Sequence, residues 1–329
     1  MKDRPEGIDE SALRRALDHW GPGTAALGYV PLGFGDYHWT AETPSGRRFV
    51  TLSDLTEKYH CGIGPEAAWH GLRRAMDTAA ALADRGLGPA DGGFVVAPLR
   101  TARGETVRRI GERYAVAVFP WLEGAAGGFG DEPAADERAA AVGMLAALHG
   151  EKPPAAARTL SPELSARGRL EAALAAVGEP WTGGPRSEPA RKLLAEHAAA
   201  VRGRLDDFDR LAARVLARGA APVVTHGEPH PGNILRHGDR RFLLDWDTAG
   251  LALPERDLWL VARDDADLDR YARLTGRVPD PDALALYRLR WSLEDVDAFV
   301  AWFRAPHTAT ADLEQAWRGF SDTVNMLLS

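Results

Sequence analysis

The chain changes its secondary-structure pattern near residue 122, and this change limits the folds that are open to it. Before that point, short β-prone runs alternate with turns and with two helical segments. After Trp121-Leu122-Glu123-Gly124, Ala-rich helical segments follow, and only residues 222–246 return to strand-like sequence. The sequence therefore predicts an α+β protein with a β-rich first part, residues 1–122, and a mostly helical second part, residues 123–329.

Turn and capping residues mark the elements within each part. Pro65 suits the first position of a long helix, and Gly86 suits the position just past its end. In the first part we expect, in order, helix, three strands, helix and two strands, at residues 9–20, 27–32, 37–43, 48–52, 65–85, 94–98 and 114–119. In the second part we expect helices at about 132–150, 161–176, 188–218 and 281–303.

Composition excludes several classes of protein. With 45% hydrophobic residues, the chain has enough apolar surface to offset its conformational entropy, which argues against a disordered chain. The 40 basic and 47 acidic residues give a net charge of −7, which argues against a nucleic-acid partner because phosphate binding needs a basic surface. The same acidity suits a cationic ligand better than an anionic one.

The sequence also predicts a cytoplasmic location. Cys61 is the only cysteine, so no intramolecular disulfide can form, and we interpret it as a reduced thiol without a special role. The N-terminus carries charges of both signs and does not resemble a secretion signal. No apolar run is long enough to cross a bilayer, so no membrane partner is expected.

Residues 225–247 hold the most informative polar pattern. The turn signal Gly238-Asp239 between two apolar runs predicts a tight hairpin. If His237 pairs with Arg240, Asn233 lies opposite Leu244 and diagonally beside Asp245. An amide oxygen and a carboxylate at that separation suit Mg²⁺, which relies on substrate phosphates and water for its other ligands. Glu228, one short loop earlier, can take a proton from an approaching hydroxyl.

This arrangement resembles the aminoglycoside phosphotransferase family, the antibiotic-modifying relatives of protein kinases, with spectinomycin phosphotransferase-like actinobacterial enzymes as the nearest branch. The family pattern is His-Gly-Asp, four residues, Asn, and then a metal-binding Asp on the next strand. The resemblance implies a two-lobed kinase-like fold that transfers the γ-phosphoryl group of ATP or GTP to a hydroxyl of a small molecule. It gives Glu228 the catalytic-base position, Asn233 and Asp245 the Mg²⁺ positions, and Asp257 a bracing role.

The resemblance extends to the nucleotide side of the chain. The turn Gly33-Phe34-Gly35 resembles the phosphate-covering loop, and residues 118–122, with Phe119, Trp121 and Leu122, resemble the hinge that binds the base through its backbone. Because backbone groups recognise the base, ATP and GTP both stay open. Leu148-His149 closes a helix, as in this family.

Three departures from the family pattern stand out. The catalytic position holds Glu228 rather than Asp, and a displacement of about 1 Å can cost ~10²-fold in rate. Asp36 follows the glycine-rich turn and repels phosphate unless it is paired. Thr51 stands where the phosphate-binding Lys is expected, and Lys58 is the nearest cation that can replace it, although a solvated surface lysine is the favoured interpretation.

The C-terminal helices are expected to form the acceptor pocket. Acidic and aromatic side chains there suit a cationic, sugar-like acceptor. The candidates are Asp247, Trp259, Trp291, Glu294 and Asp295. The competing interpretation places the aromatic residues Trp291, Phe299 and Trp302 in the core, and it is slightly favoured for them. It places the acids Glu294, Asp295 and Asp297 on a solvated face, and for them it is evenly balanced.

Two other functions remain open at this point. His226, Glu228 and His230 alternate and could form a metal cluster on a strand, although Pro229 and Pro231 disfavour a regular strand. Thr51 and Glu228 also suit a degenerate kinase-like module that binds a nucleotide or ligand without transferring phosphate. The interpretation as a small-molecule kinase is preferred over the metal cluster and over the non-catalytic module.

Overall fold

The computed structural model of the chain describes residues 1–328 and divides into two compact units. One unit combines Met1–Leu160 with Pro222–Val278, and the other combines Ser161–Ala221 with the chain from Pro279 onward. All strands of the described residues belong to the first unit, and the second unit is helical. The α+β class predicted from the sequence is therefore confirmed. The predicted boundary of the two lobes at residue 122 stays a prediction.

The first unit contains three sheets. A five-stranded antiparallel sheet has the order β1-β2-β3-β5-β4, a three-stranded sheet has the order β6-β8-β9, and a two-stranded sheet pairs β10 with β7. The strands are β1 (Ala26–Val30), β2 (Asp36–Thr43), β3 (Gly46–Asp54), β4 (Val107–Ile110), β5 (Tyr114–Pro120), β6 (Ala125–Ala126), β7 (Val223–Thr225), β8 (Ile234–His237), β9 (Arg240–Leu243) and β10 (Gly250–Ala252).

Ten helices complete the described chain. They are α1 (Glu10–Leu17), α2 (Pro65–Leu82), α3 (Ala135–His149), α4 (Arg167–Ala175), α5 (Ser187–Glu196), α6 (Ala198–Ala217), α7 (Glu255–Val261), α8 (Asp265–Thr275), α9 (Pro281–Arg304) and α10 (Ala311–Leu328). None of these helices is both long and apolar enough to span a membrane.

Strand β5 is buried on both faces, which explains its unbroken apolar sequence. Its residues at 115, 117 and 119 pack with Leu72 and Met76 of α2. Its alternate residues at 114, 116 and 118 pack with Leu13 and Leu17 of α1. Because successive side chains of a strand point to opposite faces, the sheet separates the cores beneath α1 and α2.

Most predicted elements are present, but the strand expected at residues 94–98 is wrong. Only Val95 forms a bridge there, and its partner is Leu243 rather than a strand of the five-stranded sheet. The Leu243 N–H also donates to the Phe94 carbonyl (2.7 Å). This extended segment therefore lies along strand β9.

The fifth strand of the large sheet is instead β4, which the sequence analysis missed. Two consecutive arginines, Arg108 and Arg109, hid its pattern, and they pair with Glu105 and Glu66.

The helix expected over residues 188–218 is two helices, α5 and α6, which meet at His197. Helices α8 and α10 were not predicted.

The second unit has an aromatic core between α9 and α10. Phe303 is fully buried and contacts Phe299, Trp317 and Phe320, with ring centroids 5.5 to 6.4 Å apart. Phe299 is also buried, in agreement with the interpretation of this aromatic residue as core.

Candidate active site

The β8–β9 hairpin has the register predicted from the sequence. His237 pairs with Arg240, and Ile234 pairs with Leu243. The next position continues the register, because the Leu244 N–H donates to the Asn233 carbonyl at 2.8 Å. Asn233 thus lies opposite Leu244, with Asp245 one residue further along the chain, as expected.

Asp245 has an unusual backbone conformation. Its φ of 60° lies in the left-handed region, and it is the only residue other than glycine with a positive φ among those the structure describes. Such a conformation costs about 1–2 kcal/mol for a residue with a Cβ. Trp246 fixes this bend, because its fully buried ring donates from Nε1 to the Leu243 carbonyl at 2.9 Å. The bend leaves the Asp245 side chain exposed, and backbone strain of this kind is concentrated at functional sites.

The loop that carries Glu228 is held by Asp257 from the start of α7. The fully buried Asp257 carboxylate accepts the backbone N–H groups of His226 (2.8 Å) and Gly227 (2.6 Å). His149 at the end of α3 lies 3.0 Å from the same carboxylate. Burial raises the pKa of Asp257, but the bonds and charge of His149 outweigh it and lower that pKa. These contacts match the bracing role expected for Asp257.

Gly227 is required in this loop for two reasons. Its φ of 108° is one that side chains rarely adopt, and a Cβ there would clash with the Arg256 guanidinium and the Thr248 hydroxyl. Thr248 in turn donates to the His226 carbonyl at 2.7 Å. The backbone before Glu228 is therefore enclosed on several sides.

The ring of His226 is fully committed to the backbone. Its Nε2 donates to the Leu244 carbonyl (2.7 Å), and its Nδ1 accepts the Glu228 N–H (3.2 Å). Burial lowers the pKa of His226 to about 4, so the ring is neutral. His230 is likewise engaged, since its Nδ1 accepts the Gly232 N–H (3.1 Å). The Nε2 of His230 lies 3.2 Å from the Asn233 amide nitrogen, so all four ring nitrogens have protein partners and the geometry does not support the rival metal cluster.

Asn233 and Glu228 are linked through the loop backbone. The Asn233 amide Nδ2 donates to the Glu228 carbonyl at 2.9 Å, which leaves the Asn233 amide oxygen as its group for holding a cation. Burial, together with the charge of Asp247, raises the pKa of the Glu228 carboxyl. The Glu228 charge is in turn one of the charges that raise the pKa of Asp245, so the two carboxyl groups act on one another.

Three carboxylates meet beside this loop. Asp36, Asp245 and Asp247 each bring an oxygen within 4.8 Å of the other two. Partial desolvation and the charge of Asp247 raise the pKa of Asp245 well above its usual range. Burial would raise the pKa of Asp247 too, but the neighbouring Lys58 and His60 lower it well below its usual range. Carboxylate and amide oxygens are the hard donors that Mg²⁺ prefers, so the side chains present fit a divalent cation.

Lys58 lies inside this cluster, so its interpretation as a solvated surface lysine was wrong. Its side chain is 7% exposed, and its Nζ donates to Asp247 (2.6 Å) and Asp36 (2.8 Å). Burial would lower the pKa of Lys58, but the two carboxylates outweigh it and raise that pKa well above its usual range. The turn after β3 thus places the Lys58 ammonium group beside Asp36 and Asp247.

Thr51, where the lysine was expected, contacts His38 instead, with its hydroxyl 3.3 Å from Nδ1. Two acids of α2, Glu66 and Asp77, have partners other than Lys58. Glu66 pairs with Arg109, and Asp77 accepts from the Thr106 hydroxyl.

Sequence reasoning missed His60 and gave no role to Cys61. His60 Nε2 lies 3.0 Å from the Asp247 carboxylate, and the Cys61 thiol donates to the Asp247 carbonyl. Burial would lower the pKa of His60, but Cys61 and Asp247 outweigh it and raise that pKa well above its usual range. The two residues precede Asp247 by more than 180 positions. A local sequence pattern cannot predict contacts over such a sequence separation.

The residues expected at the nucleotide lie on the turn after β1 and at the end of β5. Gly33 and Gly35 have positive φ values, and Phe34 between them is 44% exposed. Phe119 pairs with Phe49 across β5 and β3. Trp121 receives the Arg47 guanidinium over its ring and donates to Glu123, while Leu122 packs against the α2 core.

The residues expected at the acceptor divide between the two units. Asp247 belongs to the carboxylate cluster, and Trp259 lies on α7 in the same unit. Trp291, Glu294 and Asp295 lie on α9 of the other unit. There Glu294 pairs with Arg290 at 3.0 Å, and Asp295 accepts from Thr323 at 2.7 Å.

The α+β architecture, the braced His-Gly-carboxylate loop and the Asn–Asp hairpin together define a kinase-like phosphotransferase. Residues 47–287, well over half of the chain, match the phosphotransferase enzyme family known as APH. The chain belongs to this family, and it is a small-molecule phosphotransferase.

Individual relatives agree with this assignment. Protein StrN of Streptomyces griseus is 30% identical over 307 residues, which cover 88% of this chain and 89% of StrN. The spectinomycin phosphotransferase APH(9)-Ia, solved with ADP and spectinomycin, superposes with a TM-score of 0.72 at 15% identity over 98% of this chain and 99% of that one. An amicoumacin kinase solved with AMP-PNP, Ca²⁺ and Ami superposes with a TM-score of 0.57 at 14% identity over 97% of this chain and 94% of that one. At these identities the solved structures support the fold.

Proposed function

We propose that the protein transfers the γ-phosphoryl group of ATP or GTP to a hydroxyl of a small molecule, with the help of Mg²⁺. The observation that carries this proposal is the hairpin register, which puts Asn233 and Asp245 together beside the loop of Glu228. This family transfers phosphate largely by positioning groups and neutralising charge, and these are the residues such a mechanism needs.

Each residue of the site has a part in this proposal. Glu228 orients the acceptor hydroxyl and takes its proton, a role that its raised pKa suits. Asn233 and Asp245 hold the cation, and Mg²⁺, when bound, neutralises charge on the phosphates. His226 and Asp257 fix the backbone from which Glu228 projects.

Lys58 takes the place of the lysine that β3 lacks. A buried ammonium beside Asp247 supplies the positive charge that phosphate oxygens require. Gly33, Phe34 and Gly35 cover the phosphates, and backbone groups near Phe119, Trp121 and Leu122 hold the base. Two structures of similar fold were solved with ADP and with AMP-PNP, and they support the binding of a nucleotide by this protein.

The proposed acceptor is an aminoglycoside-like antibiotic or another hydroxylated natural product. Two structures of similar fold, a phosphotransferase solved with spectinomycin and an amicoumacin kinase solved with Ami, support this class. That Asp247, Trp259, Trp291, Glu294 and Asp295 contact the acceptor stays a prediction.

A nucleotide-consumption screen against hydroxylated antibiotics and metabolites tests the proposal, with the Asp245→Ala protein as the blank. We expect at least one acceptor to give a phosphorylated product with the wild type and none with the variant, because the variant lacks a cation ligand. Equal turnover by Asp245→Ala would contradict the cation assignment. Nucleotide binding without transfer to any acceptor would instead favour the non-catalytic module that Thr51 and Glu228 suggest.

A further inference from the structure

We propose that Asp36 is a carboxylate ligand of the divalent cation in addition to Asp245, so that the ion ties the glycine-rich turn to the β8–β9 hairpin. Asp36 begins β2 directly after Gly33-Phe34-Gly35, whereas Asp245 and Asp247 follow β9. The inference rests on the proposed function, which places a cation at Asp245. It adds a ligand from a distant part of the chain.

The spacing of the three carboxylates fits a shared ion. Their nearest oxygens lie within 4.8 Å of one another. Metal–oxygen distances are about 2.1 Å for Mg²⁺ and about 2.3–2.6 Å for Ca²⁺, so two ligands on opposite sides of one ion are about 4–5 Å apart. The cluster therefore already has nearly the dimensions of a coordination shell.

Asp36 also has an unused oxygen. Its side chain is 8% exposed, and its Oδ2 accepts from Lys58 at 2.8 Å. Its Oδ1 is buried and has no hydrogen-bond partner. Leaving a buried charged acceptor unsatisfied is costly, because the group has lost its water without gaining a donor. A cation beside Oδ1 removes this cost.

The charge of the cluster calls for a further cation as well. Lys58 bonds to Asp36 and Asp247, while no hydrogen bond or ion pair of the described residues reaches the Asp245 carboxylate. Three carboxylates against the Lys58 ammonium and the His60 ring, which lies 3.0 Å from Asp247, leave net negative charge before any phosphate arrives. Because like charges at this separation repel, a divalent ion stabilises the assembly.

Direct cation binding tests the inference. Free Mn²⁺ is measured by electron paramagnetic resonance during titration of the nucleotide-free protein with Mn²⁺ alone. We expect Asp36→Asn to weaken Mn²⁺ binding at least about tenfold, since even loss of a supporting group beside a metal costs 10–100-fold. Asp239→Asn, in the exposed hairpin turn, removes the same charge outside the cluster and is expected to bind as the wild type does.

A second readout guards against misfolding of the variant. Mn²⁺ is expected to raise the melting temperature of the wild type and of Asp239→Asn, but not that of Asp36→Asn, whose circular dichroism stays native. Unchanged Mn²⁺ affinity in Asp36→Asn would overturn the inference and leave Asp36 as a partner of Lys58 only. Absence of Mn²⁺ binding by the wild type at millimolar concentrations would overturn it too.

The two proposals can fail separately. If Asp36→Asn weakens Mn²⁺ binding while no acceptor is phosphorylated in the screen, the transfer proposal fails and the ligand assignment stands. If transfer is observed and requires Asp245, but Asp36→Asn binds Mn²⁺ normally, only the ligand assignment fails.

Discussion

Glu228 shows how a single side chain in this site depends on its surroundings. It is one methylene longer than the aspartate of the family pattern. Its loop is fixed because the Glu228 N–H donates to His226 Nδ1 and the Asn233 amide donates to the Glu228 carbonyl. Such a fixed backbone can place a longer carboxylate reproducibly, which a mobile loop cannot. Its position in the sequence was predictable from the motif, but its raised pKa depends on Asp247 and on burial, which no motif encodes.

We expect Glu228→Gln to lower kcat by about 10²–10⁴-fold while changing nucleotide affinity less than about threefold. The substitution keeps the shape of the side chain but removes the proton acceptor. Steady-state kinetics with an acceptor from the screen and calorimetric titration with nucleotide measure the two effects. Glu112→Gln, in an exposed turn, is the matched control. Equal losses of kcat and nucleotide affinity would indicate a structural role for Glu228.

At the scale of elements, the sequence predicts the β8–β9 hairpin but not the position of Lys58. The β8–β9 register followed from a local turn signal and was confirmed. The position of Lys58 did not follow, because its partners Asp36 and Asp247 are 22 and 189 residues away. The sequence also failed to predict strand β4 and wrongly predicted a strand at residues 94–98. The reason is related, because long-range packing decides which sheet an extended segment joins.

Helix α7 joins the loop of Glu228 to the core through Asp257. We expect Asp257→Asn to lower the free energy of unfolding by about 2–4 kcal/mol, because an amide cannot accept all the buried N–H groups that the carboxylate accepts. Urea denaturation measures the change. Asp269→Asn on the exposed face of α8 is expected to stay within about 0.5 kcal/mol of the wild type. A similarly small effect at Asp257 would refute the bracing role.

At the scale of the whole molecule, buried neutral histidines link global stability to pH. His226 has a pKa of about 4 in the folded protein, whereas a histidine of the unfolded chain titrates near 6.5. Between these values the unfolded state binds the proton and the folded state does not, so this group makes stability fall as the pH falls. Carboxyl groups with raised pKa values, such as Glu228, act in the opposite direction, so the contribution of His226 needs a variant to isolate it.

We expect the stability gap between the wild type and His226→Gln to shrink by about 1.6 kcal/mol from pH 6.5 to pH 5, because the slope rises from half of its limit of about 1.4 kcal/mol per pH unit as the unfolded histidine becomes protonated. Glutamine can keep one bond to the backbone and does not take up a proton in this range. Urea denaturation of both proteins across this range measures the gap. His237→Gln, at the exposed end of β8, is expected to run parallel to the wild type. Parallel curves for His226→Gln would disprove the linkage.

At Asp245, the left-handed backbone favours a different residue for thermal stability than the one that catalysis requires. Glycine there would relax the peptide, and asparagine would tolerate the bend while removing a charge from a crowded group of acids. Directed evolution that selects only for thermal stability is therefore expected to enrich these two replacements and to yield thermostable but inactive proteins. Survival of aspartate at this position under that regime would imply that something other than turnover maintains it.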